Sequence, residues 1–102
     1  YYPTWFHLVP FMDYYRSGAY ENALTEALKF NYPEMFWDPL MRAVSLGQLG
    51  RLDEARKAVG ELLKLEPDFR GQGRRLISRY VKVDALIDKV IEGLKKAGLD
   101  DG

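Results

Sequence analysis

The sequence predicts an all-α fold in which antiparallel helix pairs repeat along the chain, and three observations carry the prediction. The stretch Gly47-Gln-Leu-Gly-Arg-Leu-Asp-Glu-Ala-Arg56 reads as a helix end, a tight turn and a new helix. Gly50 suits the turn because glycine takes a positive φ without steric cost, and Asp53 and Glu54 suit the positive end of the next helix dipole. The pattern recurs 32 residues upstream, where Gly18 matches Gly50, Tyr20 matches Leu52, Glu21 matches Asp53 and Ala23 matches Ala55. Trp5, Leu8 and Ala27 extend the match to Trp37, Leu40 and Val59, and self-similarity at such a period marks a helical repeat. Composition agrees: 102 residues, 47% hydrophobic and 29% charged, make one folded domain with a modest core rather than a disordered chain.

Residues 1–17 carry seven aromatics and predict the first helix, with Thr4 as its N-cap. Pro10 either kinks that helix or opens its regular part at N1; the helical counterpart of Trp5 at Trp37 favours the kink. Gly18-Ala19 turns the chain into a second helix over about 20–31, burying Ala23, Leu24, Ala27 and Leu28, and Pro33 breaks it. Asp38-Pro39 reads as an N-cap followed by Pro at N1 for a third helix ending near Leu49, which Phe36 and Trp37 extend by up to a turn. The fourth helix, 52–65, buries Ala55, Ala58, Val59, Leu62 and Leu63 before Glu66-Pro67-Asp68 closes the repeat. A fifth helix is expected over 70–83 with Leu76, Ile77, Tyr80 and Val81 on its apolar face, weakened at its start by Gly71 and Gly73. From Asp84 a last helix runs to about Ala97 and stops at Gly98; Leu86, Ile87, Val90, Ile91 and Leu94 form its buried stripe, while Asp88, Lys89, Glu92, Lys95 and Lys96 face water. It reads as the capping helix that ends a solenoid, followed by a fraying tail over 99–102.

Chemistry-bearing patterns are sparse. His7 is the only histidine and no cysteine is present, so a Ser-His-Asp arrangement has one candidate base, and disulfides and cysteine-based zinc sites are excluded. Gly71-Gln-Gly73 lacks the strand and the Gly-Lys-Ser/Thr of a phosphate loop. The acidic pairs Asp53/Glu54 and Asp100/Asp101 fall at a helix start and in the tail, away from any apolar pocket that would tune a general acid. No catalytic residue, metal ligand or cofactor site is expected, so the chain reads as non-catalytic. Fifteen basic residues balance fifteen acidic ones, which argues against a nucleic-acid or membrane partner. No apolar run approaches the roughly 20 residues that span a bilayer, and no signal-peptide pattern opens the chain; absent cysteine fits a cytoplasmic setting. The chain begins at Tyr1 rather than Met and inside a repeat, so a piece of a longer protein is expected.

Two features stand out against this background. Residues 70–83 hold five basic side chains and no acidic one: Arg70, Arg74, Arg75, Arg79 and Lys82. On a helix, Arg75, Arg79 and Lys82 share a face, either as solvated surface or as a contact for an anion or acidic peptide; the first reading is the commoner fate of charge runs. Twelve of the fourteen aromatics lie in residues 1–37, so an uncovered N-terminal face is expected to favour self-association.

The repeated residues resemble the tetratricopeptide repeat (TPR) family, with repeat 1 at about 4–35, repeat 2 at about 36–69 and a terminal helix pair at about 70–98. The match departs from the family at Pro39 and Arg42, where the family prefers Trp and Leu. The phrases Trp-Phe-His-Leu-Val-Pro-Phe, Phe-Trp-Asp-Pro-Leu and Leu-Gly-Gln-Leu-Gly-Arg are similar to C-terminal TPR regions of bacterial proteins that carry an upstream nucleotide-cyclase or DNA-binding regulatory domain. The resemblance implies a right-handed superhelix of about three helix pairs with a C-terminal capping helix, and a protein-interaction role. It places a partner peptide or helix in a groove lined by Trp5, Leu8, Met12, Tyr15, Arg16, Trp37, Leu40, Val44, Gln48, Arg74 and Ser78. That assignment moves by a residue if each tryptophan instead occupies the family's own tryptophan position. A small-ligand, anion or nucleic-acid sensor using the basic helix 70–83 is the alternative.

Overall fold

Two glycine turns set the frame of the molecule. The computed structural model describes residues 8–31 and 34–99, which form six helices: α1 Leu8–Ser17, α2 Tyr20–Phe30, α3 Trp37–Leu49, α4 Leu52–Leu65, α5 Phe69–Ser78 and α6 Asp84–Lys96. No strand occurs among the described residues. Gly18 and Gly50 take φ of 88° and 77°. Each turn is closed by the same pair of backbone bonds, Gly18 N–H to Tyr15 O with Ala19 N–H to Tyr14 O, and Gly50 N–H to Gly47 O with Arg51 N–H to Leu46 O. This glycine-terminated cap satisfies carbonyls that the helix end leaves without partners. Because α1 and α3 stop, and α2 and α4 start, at equivalent places, two helix hairpins repeat at the spacing of the sequence match.

The helix starts differ from expectation. Pro10 lies inside the described part of α1, and the segment before Leu8, on which the expected kink or N1 start depends, lies outside the described residues. In α3 the first residue is Trp37, and Phe36 at the N-cap makes no side-chain cap. Asp38 is therefore not the cap; it lies inside the first turn and accepts from Arg42 Nε at 3.0 Å. Thr4, Trp5, His7, Pro33 and Asp100/Asp101 lie outside the described residues.

Successive helices pack on one another from α1 to α4, and α3 is central: ten of its thirteen residues are buried, as for a helix enclosed on all sides. In α2 and α4, Ala23, Ala27, Ala55 and Ala58 are all buried, letting backbones approach. Leu28, expected in the same stripe, is 59% exposed because it lines a cleft between α2 and α4 that no described element covers; Phe30 is buried instead.

The C-terminal third departs most from a regular stack. Helical geometry fails in α5 at Arg70–Gln72, where Gly71 has φ 108°, and the helix ends at Ser78 rather than 83. Residues 81–83 are non-helical and Val83 is extended. The apolar face expected across 70–83 is thus split: Leu76 and Ile77 are buried within α5 and Val81 beyond it, while Tyr80 is half exposed. In α6 the predicted stripe, Leu86, Ile87, Val90, Ile91 and Leu94, is buried throughout, each side chain contributing about 1.5–3 kcal/mol. This helix packs mainly on α3 rather than on its neighbour α5. A third glycine turn, Gly98 at φ 102° with Leu99 N–H on Leu94 O, ends it, and Leu99 is fully buried rather than frayed.

Candidate interaction surface

The face shared by α1 and α3 is built from residues at matching places in the two hairpins. Tyr15 and Arg16 on α1 correspond to Gly47 and Gln48 on α3, with Val44 one turn earlier. A large side chain on one helix and none on the other makes the face uneven, so a helix laid across it sinks toward α3. That helix is α6.

Its seating is close. A Cβ placed on Gly93 would lie 2.9 Å from Val44 Cβ and would collide with the Tyr15 hydroxyl. A Cβ on Gly47 would lie 2.5 Å from Gly93 O and 3.3 Å from Ala97 Cβ. Glycine is needed at both positions because the two backbones pass where a side chain would stand. Polar bonds fix the register. The Tyr15 hydroxyl donates to Lys89 O at 2.6 Å, the Lys89 ammonium donates to Arg16 O at 3.0 Å, and that ammonium also lies over the Tyr15 and Tyr20 rings. The cation thereby meets both the carbonyl end of α1 and two aromatic faces, each attractive to positive charge. The Gln48 amide donates to Glu92 at 3.1 Å and accepts from Lys96 at 2.8 Å. Burial pushes the Tyr15 hydroxyl far above the ordinary tyrosine range, outweighing the Gln48 hydrogen bond that acts the other way. The Gln48 bond, reinforced by Lys96 and Lys89, holds the Glu92 carboxyl below its usual range.

Of the residues expected to line a groove, Tyr15, Arg16, Val44 and Gln48 are therefore brought together, and what they touch is α6. Leu40 is fully buried one turn before Val44, and Met12 is half-buried against the core. Trp37 is 1% exposed and belongs to an aromatic cluster with Phe36, Phe69 and Tyr80, its edge-to-face partner at 5.6 Å. Its indole N–H has no hydrogen-bond partner among the described residues. Trp5 and the side chain of Leu8 lie outside the described residues. Arg74 pairs with Asp88 of α6, and the Ser78 hydroxyl donates to Arg75 O within its own turn, so neither joins the others.

The basic run does not form one helical face. Arg75 is within α5, Arg79 is its C-cap, and Lys82 sits in the connector with its ammonium on Ser78 O at 2.7 Å. Sequence reasoning missed Gly47, Gly93 and Ala97 as contact residues, and Lys89, expected in water, is half-buried; Glu92 and Lys96 are exposed as expected while also bonding Gln48. The available signal was Lys89, Gly93 and Ala97 at four-residue spacing on α6, with a glycine inside an otherwise sound amphipathic helix.

A second, open feature lies between α2 and α4. The cleft holds about 550 Å³, with Leu24, Leu28 and Leu46 as apolar lining and Arg42, Arg51 and Glu61 among its charged lining residues. Arg42 bridges Asp38 and Glu61, donating to Glu61 Oε1 at 2.9 Å. Burial works against its charge, but these two carboxylates more than offset that and hold its pKa above the usual value. Among the described residues no three His, Asp or Glu side chains gather as a metal-binding group, and no helix is long and apolar enough to cross a membrane. Comparison with protein-family models, curated proteins and solved structures yields no match.

Proposed function

We propose that this chain is a non-catalytic protein-interaction module of the TPR type, whose α1–α3 face receives a helix. The observation that carries the reading is the seat itself, in which Tyr15, Arg16, Val44, Gly47 and Gln48 hold α6 through close contacts and four polar bonds. A face able to read Lys89, Glu92, Gly93, Lys96 and Ala97 on one helix reads a helix by shape and polar register, not merely by apolarity. In a cytoplasmic bacterial regulator such a module would relay partner binding to an upstream nucleotide-cyclase or DNA-binding domain, as the TPR resemblance implies. Three helix pairs in a right-handed superhelix remain the architecture this reading assigns to the full repeat array.

A fluorescent peptide of residues 84–99, titrated into the full chain carrying Gly93→Leu, tests the proposal. The substitution removes the chain's own α6 from the seat by the collision with Tyr15 and Val44, leaving the seat open. The peptide is expected to bind with little change between about 0.05 and 0.5 M salt, whereas a peptide bearing Gly93→Leu is expected not to bind. Failure of the unmodified peptide to bind a chain that keeps its helical circular dichroism would refute the reading. The second reading, an anion contact, is favoured by Arg75 and Arg79, which are exposed and pair with no carboxylate among the described residues. Salt-sensitive capture of a poly-glutamate peptide would support it.

A further inference from the structure

We propose that α6 is an exchangeable helix and that the α1–α3 face takes α6 from a second copy of this chain. The inference rests on the helix-binding reading of that face and names its occupant. Three observations carry it. The contacts that seat α6 join residues far apart in sequence, Tyr15 and Arg16 with Lys89, Val44 with Gly93, and Gln48 with Glu92. None depends on the covalent path between α3 and α6, so another copy's α6 finds the same seat. The path itself breaks helical geometry twice: α5 loses it at Arg70–Gln72, and residues 81–83 are non-helical, with Val83 57% exposed. Finally, an undocked α6 leaves five apolar side chains and their seat in water, which drives re-docking onto whichever seat is within reach.

Exchange between two copies is reciprocal, giving a closed twofold pair in which every intramolecular α6 contact is remade between subunits. Seat contacts are then equal in monomer and dimer, and connector length decides between them. Docking in the same chain is favoured by a local concentration on the order of millimolar, which a connector too short to span the gap removes.

The test uses the full chain in three forms: unmodified, with Lys82 and Val83 deleted, and with Gly-Ser-Gly-Ser inserted between them. Deletion shortens the reach by about 7 Å. Sedimentation from about 10 µM to 1 mM is expected to show a dimer whose dissociation constant falls at least about tenfold on deletion and rises at least about tenfold on insertion. Mixing isotopically light and heavy chains should yield mixed-mass dimers in native mass spectrometry. A deletion variant that stays monomeric, folded or not, overturns exchange, as does a dimer insensitive to connector length. If peptide 84–99 binds in trans while all three forms remain monomers, exchange fails and the helix-binding reading stands.

Discussion

The tight seat of α6 gives the sharpest prediction, because the same substitution can be made where it must help and where it must harm. Gly60 and Gly93 both lie inside amphipathic helices, α4 and α6. Nothing stands within 4 Å of a Cβ built on Gly60, and that residue is exposed. Gly60→Ala therefore gains the helix-propensity difference, about 0.5–1 kcal/mol of added stability. Gly93→Ala has the same propensity gain but drives its methyl into Val44 Cβ at 2.9 Å, Val44 Cα at 3.1 Å and the Tyr15 hydroxyl. The tyrosine cannot swing aside freely, being fully buried and held by Lys89 O and Gln48. Overpacking of this kind costs about 1–3 kcal/mol, so the net loss is about 0.5–2 kcal/mol and the two variants should differ by about 1–3 kcal/mol. Urea unfolding followed by helical circular dichroism measures the difference, and in thermal melts each kcal/mol moves the midpoint by roughly 4–8 °C for a chain of this size. A Gly93→Ala protein as stable as Gly60→Ala would refute the claim that α6 is seated backbone-close on α3 and against the Tyr15 side chain of α1.

Other perturbations probe separate parts of the structure. Trp37→Ala should cost about 3–5 kcal/mol in urea unfolding, and Trp37→Phe clearly less, because the indole N–H has no partner to lose. Tyr15 has its folded pKa raised, so its contribution is complete below the unfolded value near 10 and is lost as pH rises beyond it; Tyr15→Phe should flatten that alkaline loss in a melt series. Glu61 is shifted the other way, chiefly by the Arg42 hydrogen bond, so its contribution is complete above the unfolded value near 4.5 and is lost as pH falls through the lower folded value. With that carboxylate half in water, the acid loss removed by Glu61→Gln should be under about 1 kcal/mol by acid titration of stability.

Local instructions were legible and destinations were not. Gly18 and Gly50 announced the two hairpins because a positive φ is a backbone requirement that glycine alone meets without cost. The five-residue stripe of α6 announced a buried face, but a stripe states which side is covered and not by what; docking on α3 is a long-range choice set by Gly47 and Gly93. Leu28 carries the same apolar identity as Leu24, yet one is 59% and the other 8% exposed, since only tertiary packing decides which is covered. Arg75, Arg79 and Lys82 share a face only on a helix that runs on to 83, and the stop at Ser78 removes that condition. For the candidate surface, the TPR resemblance, set in register on Gly18 and Gly50, implied Tyr15, Arg16, Val44 and Gln48. It also pointed to Trp37, whose size makes it as good a core filler as an anchor, and the core is where it lies.

The distance in sequence between α3 and α6 also has a consequence for the order in which a nascent chain is made. Nearly 50 residues separate the end of α3 from the end of α6, so at synthesis rates of about 5–20 residues per second the seat waits for about 2–9 s before its helix exists. During that interval the two hairpins can form from near-neighbour contacts alone, while Tyr15, Val44 and Gly47 present a formed, apolar, helix-shaped vacancy. On a messenger carrying several ribosomes, the first α6 to reach a waiting seat is thus in competition with those of the chains alongside.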